Sequence, residues 1–324
     1  MSVIASVVIP TFKRPHLLRK CLEALLQQQF DKAAYEIIVV SDGPDSDTLK
    51  EVERFSGYEK PAVRYIALPG KKGPAAARNL GWKSAQGSVI AFTDDDCIPQ
   101  KSWLQNMVNN CAPGQEIALT GKVIVPLNDE RPTDYELNTA NLQTADFITA
   151  NCACTKLALE RAGGFDENFS MAWREDSDLH FKLLKNGTPI KKVGNAVVVH
   201  PVRSAKWGVS IKEQKKTMFD ALLYKKHPKL FKKKIRGVSP YLYYAIVIAF
   251  ALLIAGLLSK NENLLVTGLV GWVTFTIYFI YKRLSATSLT ASHIFEMVVT
   301  SLLIPFLSVY WQWYGALKYR VLFI

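Results

Sequence analysis

The sequence predicts an α/β domain, built on a mainly parallel sheet flanked by helices and followed by an all-α membrane region. Three observations carry this. Through residues 1–200, short runs of β-formers alternate with stretches of helical periodicity. The last quarter of the chain holds three long segments without a charge. Between the two, residues 203–236 hold most of the excess positive charge.

The elements follow in order. Val3–Ile9 is a run of β-formers ending at Pro10 and reads as a buried first strand. It is too short, and lacks the basic start, to be a leader peptide. Pro15–Gln29 has helical spacing at Leu17, Leu18, Cys21, Leu22, Leu25 and Leu26. Glu36–Val40 is a strand stopped by Ser-Asp-Gly-Pro. Ser46–Phe55 is helical, Val63–Ala67 a strand, Pro74–Ala85 helical and Val89–Thr93 a strand. A helix is expected from near Pro99, another from Asp176 to Lys185, and a strand over Ala196–Val199. Strands alternating with helices imply right-handed βαβ units.

Charge narrows the partners. The net charge is +12, yet residues 1–202 hold 23 basic and 24 acidic side chains, whereas residues 203–236 hold 12 and two. A nucleic-acid footprint should run along a folded face. Here the basicity abuts the most apolar part of the chain, so no nucleic-acid partner is expected. Anionic membrane lipid is, at about 1 kcal/mol per Lys or Arg near the surface. The five cysteines form neither a CxxC pair nor a zinc pattern and read as reduced thiols.

Pro240–Leu258, Leu264–Tyr281 and Met297–Leu317 are 19, 18 and 21 residues without charge, each long enough to cross a core of ~30 Å at ~1.5 Å per residue. Tyr and Trp gather at their ends. The division expected is 1–204 catalytic, 205–238 basic and juxtamembrane, and 239–324 transmembrane (240–258, 264–281, 297–317). Lysines from Lys225 through Lys234, with Arg236, precede the first span, so a multi-pass cell-membrane protein with residues 1–236 cytoplasmic is expected. Three full crossings would leave Lys318 and Arg320 outside, against that rule. Pro305 therefore keeps a re-entrant third segment open. Lys206–Lys226 places Ile211, Met218, Phe219, Leu222 and Leu223 on one face, either as a helix on the membrane surface or as one packed on its own domain.

In an open parallel sheet, ligands bind beyond the carboxyl ends of the strands. There the sequence places Pro10-Thr11-Phe12-Lys13-Arg14, Ser41-Asp42-Gly43-Pro44 and Asp94-Asp95-Asp96. Three adjacent carboxylates repel unless a cation neutralises them, and Mg2+ or Mn2+ prefers such oxygen ligands and takes substrate phosphates as well. The alternative is a solvated loop capping the next helix.

Residues 5–200 resemble the GT-A catalytic domain of family 2 glycosyltransferases. The stretches ASVVIPTFKRPHLLRKCLEALLQQ, EIIVVSDGPDSDT, GPAAARNLGW, GSVIAFTDDDCIP, GGFDENF and REDSDLHFKLLKNG carry the resemblance, in the family's order and spacing. It implies that Pro10, Thr11 and Asp42 hold the nucleoside, Asp42 reaching the base, and that Arg78 contacts the nucleotide, the alternative for Arg78 being a salt bridge on the helix surface. It implies that Asp94, Asp95 and Asp96 form the DXD motif, Asp96 binding Mn2+ or Mg2+ at the diphosphate, and that Asp176 is the general base. Glu175 beside it would raise the pKa of Asp176 by like-charge repulsion. Asp178 is the reserve base. Trp173 is either a sugar-stacking ring or core, and His200 either a metal ligand or structural. An inverting transfer from a nucleotide-diphospho-sugar, most often a UDP-sugar, to a lipid-linked or envelope-glycan acceptor is implied. The alternatives are a processive polysaccharide synthase and an inactive nucleotide-sugar-binding scaffold. The synthases' QxxRW motif is met here only by Arg203-Ser204-Ala205-Lys206-Trp207, without its Gln and Arg in place.

Overall fold

The computed structural model describes residues 2–57, 61–127, 129–235 and 241–322. Arg236 and Pro240, at the ends of the basic stretch and the first expected span, lie outside them.

The first unit, Met1–Pro126 with Ala140–Val202, carries the sheet. Its strands are β1 (Ala5–Thr11), β2 (Tyr35–Ser41), β3 (Ala62–Ala67), β4 (Val89–Phe92), β5 (Ile98–Pro99), β6 (Ala118–Ile124), β7 (Cys152–Thr155) and β8 (Ile190–Val199). Its helices are α1 (Pro15–Leu26), α2 (Ser46–Ser56), α3 (Pro74–Lys83) and α4 (Trp103–Val108). Next in chain order is the short α5 (Asp134–Ala140), all but its last residue in the second unit, and the first unit continues with α6 (Lys156–Ala162) and α7 (Glu175–Lys185). The strand order is β3-β2-β1-β4-β7-β6-β8-β5. β1, β2, β3 and β4 pair in parallel, as do β6 and β8, while β7 runs antiparallel to both its neighbours and β5 to β8.

Every residue of β1 and β2 is buried, because helices cover both faces. Side-chain alternation sorts them. Val7 and Ile9 pack with Leu18, Leu22 and Leu25 of α1, whereas Val8 packs with the alanines of α3.

The sequence reading is corrected in two places here. β1 begins two residues later than Val3. No helix starts near Pro99: Ile98–Pro99 is a strand paired with Val199 and Val198, and α4 begins at Trp103, so the three aspartates cap nothing there.

The second unit is Leu127–Thr139 with Arg203–Ile324. Segment 127–139, which the sequence places in the 1–204 domain, thus groups with the three long apolar helices. This unit contains α8 (Val209–Glu213), α9 (Met218–Lys226), α10 (Pro228–Lys234), α11 (Tyr241–Ser259), α12 (Glu262–Leu284) and α13 (Ala291–Lys318). The last three are long and apolar enough to cross a membrane. α11 and α12 form a close hairpin. A Cβ on Gly256 would meet the backbone of Leu265, and one on Gly268 that of Leu253, so only glycine permits this approach.

α13 is one continuous helix of 28 residues with Pro305 inside it, not a broken re-entrant pair. Its neighbours are unusual for a spanning helix. Residues 208–225 accompany it along its length. The Gly208 N–H donates to Glu296 (2.7 Å), Lys215 Nζ lies 5.6 Å from the Trp311 ring, and the Met218 backbone abuts Gly315. Lys225 donates to the Tyr319 carbonyl at 2.8 Å. Met218, Phe219, Leu222 and Leu223 are all buried, and α13 is the helix against which α9 packs. The apolar face of α9 is therefore covered by protein and does not lie on a lipid surface.

Candidate active site

The carboxyl edge of β1, β2 and β4 gathers the polar loops. Thr11 closes β1, and its hydroxyl donates to Asp95 Oδ2 at 2.7 Å. Pro10 is buried before it. Lys13 takes a left-handed φ of 53°, a conformation uncommon for a residue with a Cβ, and turns the chain so that Arg14 meets Asp95 at 2.8 Å and Asp96 at 4.0 Å. Arg14 was not singled out from the sequence. It answers in part the repulsion that three aspartates create.

Asp42 follows β2 and is buried. Its Oδ1 accepts from the backbone N–H groups of Lys72 (2.6 Å) and Gly73 (2.9 Å). The carboxylate thus braces loop 70–73. Gly73 has φ 100°, and a Cβ there would strike the Ser170 carbonyl, so this corner requires glycine. Lys71 reaches back over the Phe12 ring at 4.1 Å, giving the edge an aromatic and cationic wall.

Arg78 lies on α3 and is almost wholly buried. Nη2 contacts Asp94 Oδ1 at 2.8 Å and Nη1 contacts Glu175 Oε1 at 3.0 Å. The expected nucleotide contact is, in this structure, a bridge between the aspartate turn and the start of α7. Burial works against the guanidinium charge, but the two carboxylates more than offset it and raise its pKa. Burial also opposes ionisation of Asp94, yet Arg78 prevails and holds that acid low. Removing one partner from a buried pair of this kind costs about 3–5 kcal/mol.

Asp95 has the opposite balance. Burial, together with repulsion from Asp96 and Asp94, outweighs Arg14 and Thr11 and pushes it up to about 7. Asp96 Oδ1 lies 3.6 Å from His200 Nε2, and ligand atoms of Asp96, Cys97 and His200 fall within 4.8 Å of one another. His200 Nδ1 is buried without a hydrogen-bond partner. Burial raises the Cys97 thiol well above its usual range.

α7 supplies the remaining acids. Arg174 caps it in a left-handed conformation (φ 73°), its guanidinium 4.7 Å from the ring of half-buried Trp173. Asp176 is half-buried, and its Oδ1 accepts from Ser177 N–H (2.6 Å) and Oγ (3.2 Å). Burial raises its pKa against the pull of the Ser177 N–H, Arg174 and Arg78. Asp178 is fully buried and paired with Lys182 at 2.9 Å, which removes the reserve base from contact with solvent.

The family model described as Glycosyl transferase family 2 matches residues 6–167, half of the chain. The chain belongs to that family. This family 2 glycosyltransferase is 33% identical over 117 residues to glycosyltransferase AglE of Haloferax volcanii, covering 36% of this chain and 38% of that one. It is 30% identical over 215 residues to a pre-mycofactocin glycosyltransferase of Mycobacterium tuberculosis, covering 61% and 43%. It is 25% identical over 273 residues to chondroitin synthase of Escherichia coli, covering 71% and 39%. The chain thus spans about two-fifths of the length of these curated relatives. Among solved structures, mannosyltransferase PcManGT from Pyrobaculum calidifontis, in complex with GDP-Man and Mn2+, aligns over 99% of this chain and 88% of that one. The TM-score is 0.55 and the identity 20%, a likeness of fold.

In this glycosyltransferase, Glu175 yields a pH prediction. Burial and the Asp176 carboxylate outweigh Arg78 and raise its pKa to about 7. The folded state then holds a proton that the unfolded chain releases at lower pH, so stability falls as pH rises through that window. Glu175→Gln removes the titration and keeps the shape. Thermal melting of the full chain from about pH 5 to about pH 8 should fall less steeply for this variant than for wild type. Parallel profiles would show that Glu175 is ionised throughout.

Proposed function

We propose that the protein is a membrane-anchored inverting glycosyltransferase that moves a sugar from a nucleotide-diphospho-sugar to a lipid-linked or envelope-glycan acceptor. The observation that carries this reading is the Arg78 bridge, which brings the aspartate turn and the acids of α7 to one sheet edge. A donor diphosphate and a base must stand on opposite sides of the anomeric carbon, and these two loops supply the two groups.

Thr11, Phe12, Asp42 and the braced loop 70–73 form the nucleoside side, with Pro10 beneath them. Asp94 and Asp95 shape the turn, and Asp96 with His200 would hold Mn2+ or Mg2+. Two protein ligands suit ions that keep waters and take phosphate oxygens. When bound, the cation neutralises the leaving diphosphate. Asp176 accepts the proton of the acceptor hydroxyl while its oxygen bonds to the anomeric carbon. The bond from that carbon to the diphosphate oxygen breaks, and the electron pair leaves with the nucleoside diphosphate. One displacement inverts the anomeric centre. Trp173 borders the acceptor side.

The membrane reading is two crossings, by α11 and α12. A Lys within hydrocarbon costs about 2.5–3.5 kcal/mol even on the insertion scale. Residues 208–225 carry Lys212, Lys215, Lys216 and Lys225 beside α13, so that helix lies in the interface. Lys318 and Arg320 then fall on the same side as the basic stretch 225–234, and the conflict with the positive-inside rule disappears. That side is the cytoplasmic one, and the exposed lysines of α10 face anionic lipid.

The test is a donor panel on the purified full chain with Mn2+, read by thermal stabilisation and by hydrolysis. UDP-sugars come first because of the family resemblance, and GDP-mannose beside them because the mannosyltransferase neighbour was solved with that donor. Stabilisation and slow hydrolysis of one donor class are expected. If no nucleotide sugar stabilises or is cleaved, the reading is wrong.

A further inference from the structure

The second unit contains a cavity of about 500 Å³ that the transfer chemistry does not use. Its size falls in the ~300–1,000 Å³ range of small-molecule sites. Its floor is apolar: Tyr243 in the first turn of α11, Phe279 near the end of α12, and Met297 and Ile304 of α13. Its mouth is polar, formed by α5, residues 203–206 and α8. One end of each of the three apolar helices meets there, so the cavity lies where a membrane ligand would place its head group.

Two observations identify the kind of head group. His293, in the first turn of α13, lines the cavity, is 5% exposed, and its Nε2 is buried without a hydrogen-bond partner. An unpaired buried polar atom is destabilising, and a ligand hydroxyl would satisfy it. The second observation is the state of Arg283, the buried cation of the wall. Nη2 contacts Asp134 (2.9 Å) and Ser210 (3.3 Å), Nη1 contacts Thr300 (2.6 Å) and Ser301 (3.0 Å), and Nε points at Asp134 (3.4 Å). All three of its nitrogens are engaged, so it has no fork to offer a phosphate. The lining also holds four carboxylates, those of Asp134, Glu136, Glu213 and Glu296, against three cations. With Glu213 paired to Lys216 and Asp134 to Arg283, the lining has no net positive charge to draw an anion, whereas sugar hydroxyls donate well to carboxylates and to an imidazole nitrogen.

We propose that this cavity binds the uncharged, hydroxyl-rich sugar head of a membrane-resident glycolipid, with His293 hydrogen-bonding a sugar hydroxyl and the Tyr243–Phe279 floor receiving the start of the apolar tail. The proposal rests on the glycosyltransferase reading for its biological sense, and its test uses neither donor nor turnover, so the two can fail separately.

The test is photo-crosslinking of the full chain, in phosphatidylcholine nanodiscs free of glycoside detergent, by dodecyl glucoside carrying a diazirine near its head. Labelled peptides are mapped by mass spectrometry. Label is expected on the first half of α13 and the last turns of α12, competed by unlabelled dodecyl glucoside and not by dodecyl phosphate or by glucose. His293→Phe should lower the specific label about tenfold, the effect of one buried hydrogen bond, and His293→Gln should restore most of it. Melting curves of both variants check folding. If His293→Phe does not fold, the competition series on wild type and His293→Gln decides. Label spread evenly over the apolar faces of α11–α13 overturns the proposal. So does competition by dodecyl phosphate as strong as by the glucoside, or a His293→Phe protein that folds and labels like wild type.

Discussion

Asp96→Ala should abolish transfer and weaken nucleotide-sugar binding sharply. The physical reason lies in the crowding at the end of β4. Asp95 is engaged by Thr11 and Arg14, and Asp94 by Arg78, whereas Asp96 lies 3.6 Å from His200, the pair proposed to hold the ion. Neither neighbour can substitute without breaking a buried pair. Treatment with EDTA should remove activity, and Mn2+ or Mg2+ should restore it. Mn2+ binding, followed by its paramagnetic resonance signal, should be lost in Asp96→Ala and weakened in His200→Ala. Full turnover by the chelated enzyme would refute the metal assignment, and unchanged Mn2+ binding by Asp96→Ala would move the ligand elsewhere.

The sequence made the sheet edge legible because its strands are buried on both faces. β1 and β2 therefore read as unbroken apolar runs, and the polar residues that interrupt them mark the ligand edge. What sequence reasoning missed depends on distant partners. Arg78 and Glu175 are 97 positions apart, and nothing local distinguishes a bridging arginine from one that awaits a phosphate. Arg14 sits among basic residues, and only the left-handed turn at Lys13 aims it at Asp95. The strand at Ile98–Pro99 is two residues long and exists because β8 lies beside it. The apolar face of α9 left two readings open, the membrane surface or its own domain, because its cover, α13, lies some 90 residues downstream, as the 94-residue separation of Lys225 and Tyr319 shows. Conversely, α11 and α12 were plain in the sequence, since a long uncharged run has few other uses. The course of α13 was not, because length and hydropathy do not report what packs alongside.

Asp176→Asn is the sharpest test of the chemistry. A base is needed only as the acceptor loses its proton, so its loss should fall on kcat and spare donor binding. The amide keeps the shape and can still accept from the Ser177 N–H, so the start of α7 should hold. We expect kcat to fall by at least ~10²-fold, the lower end of what a general base contributes. The dissociation constant of the nucleotide should move little, and residual product should carry the inverted configuration. Burial raises the Asp176 pKa, so wild-type kcat should fall on the acid side through a midpoint above the ~3.9 of a free aspartate. That limb should vanish in Asp176→Asn. Near wild-type transfer by the variant would shift the role to Glu175, since Asp178 is sealed against Lys182. A large loss of donor affinity with kcat intact would instead place Asp176 on the donor side of the anomeric carbon. The Arg78 bridge would then serve to join two halves of one donor site.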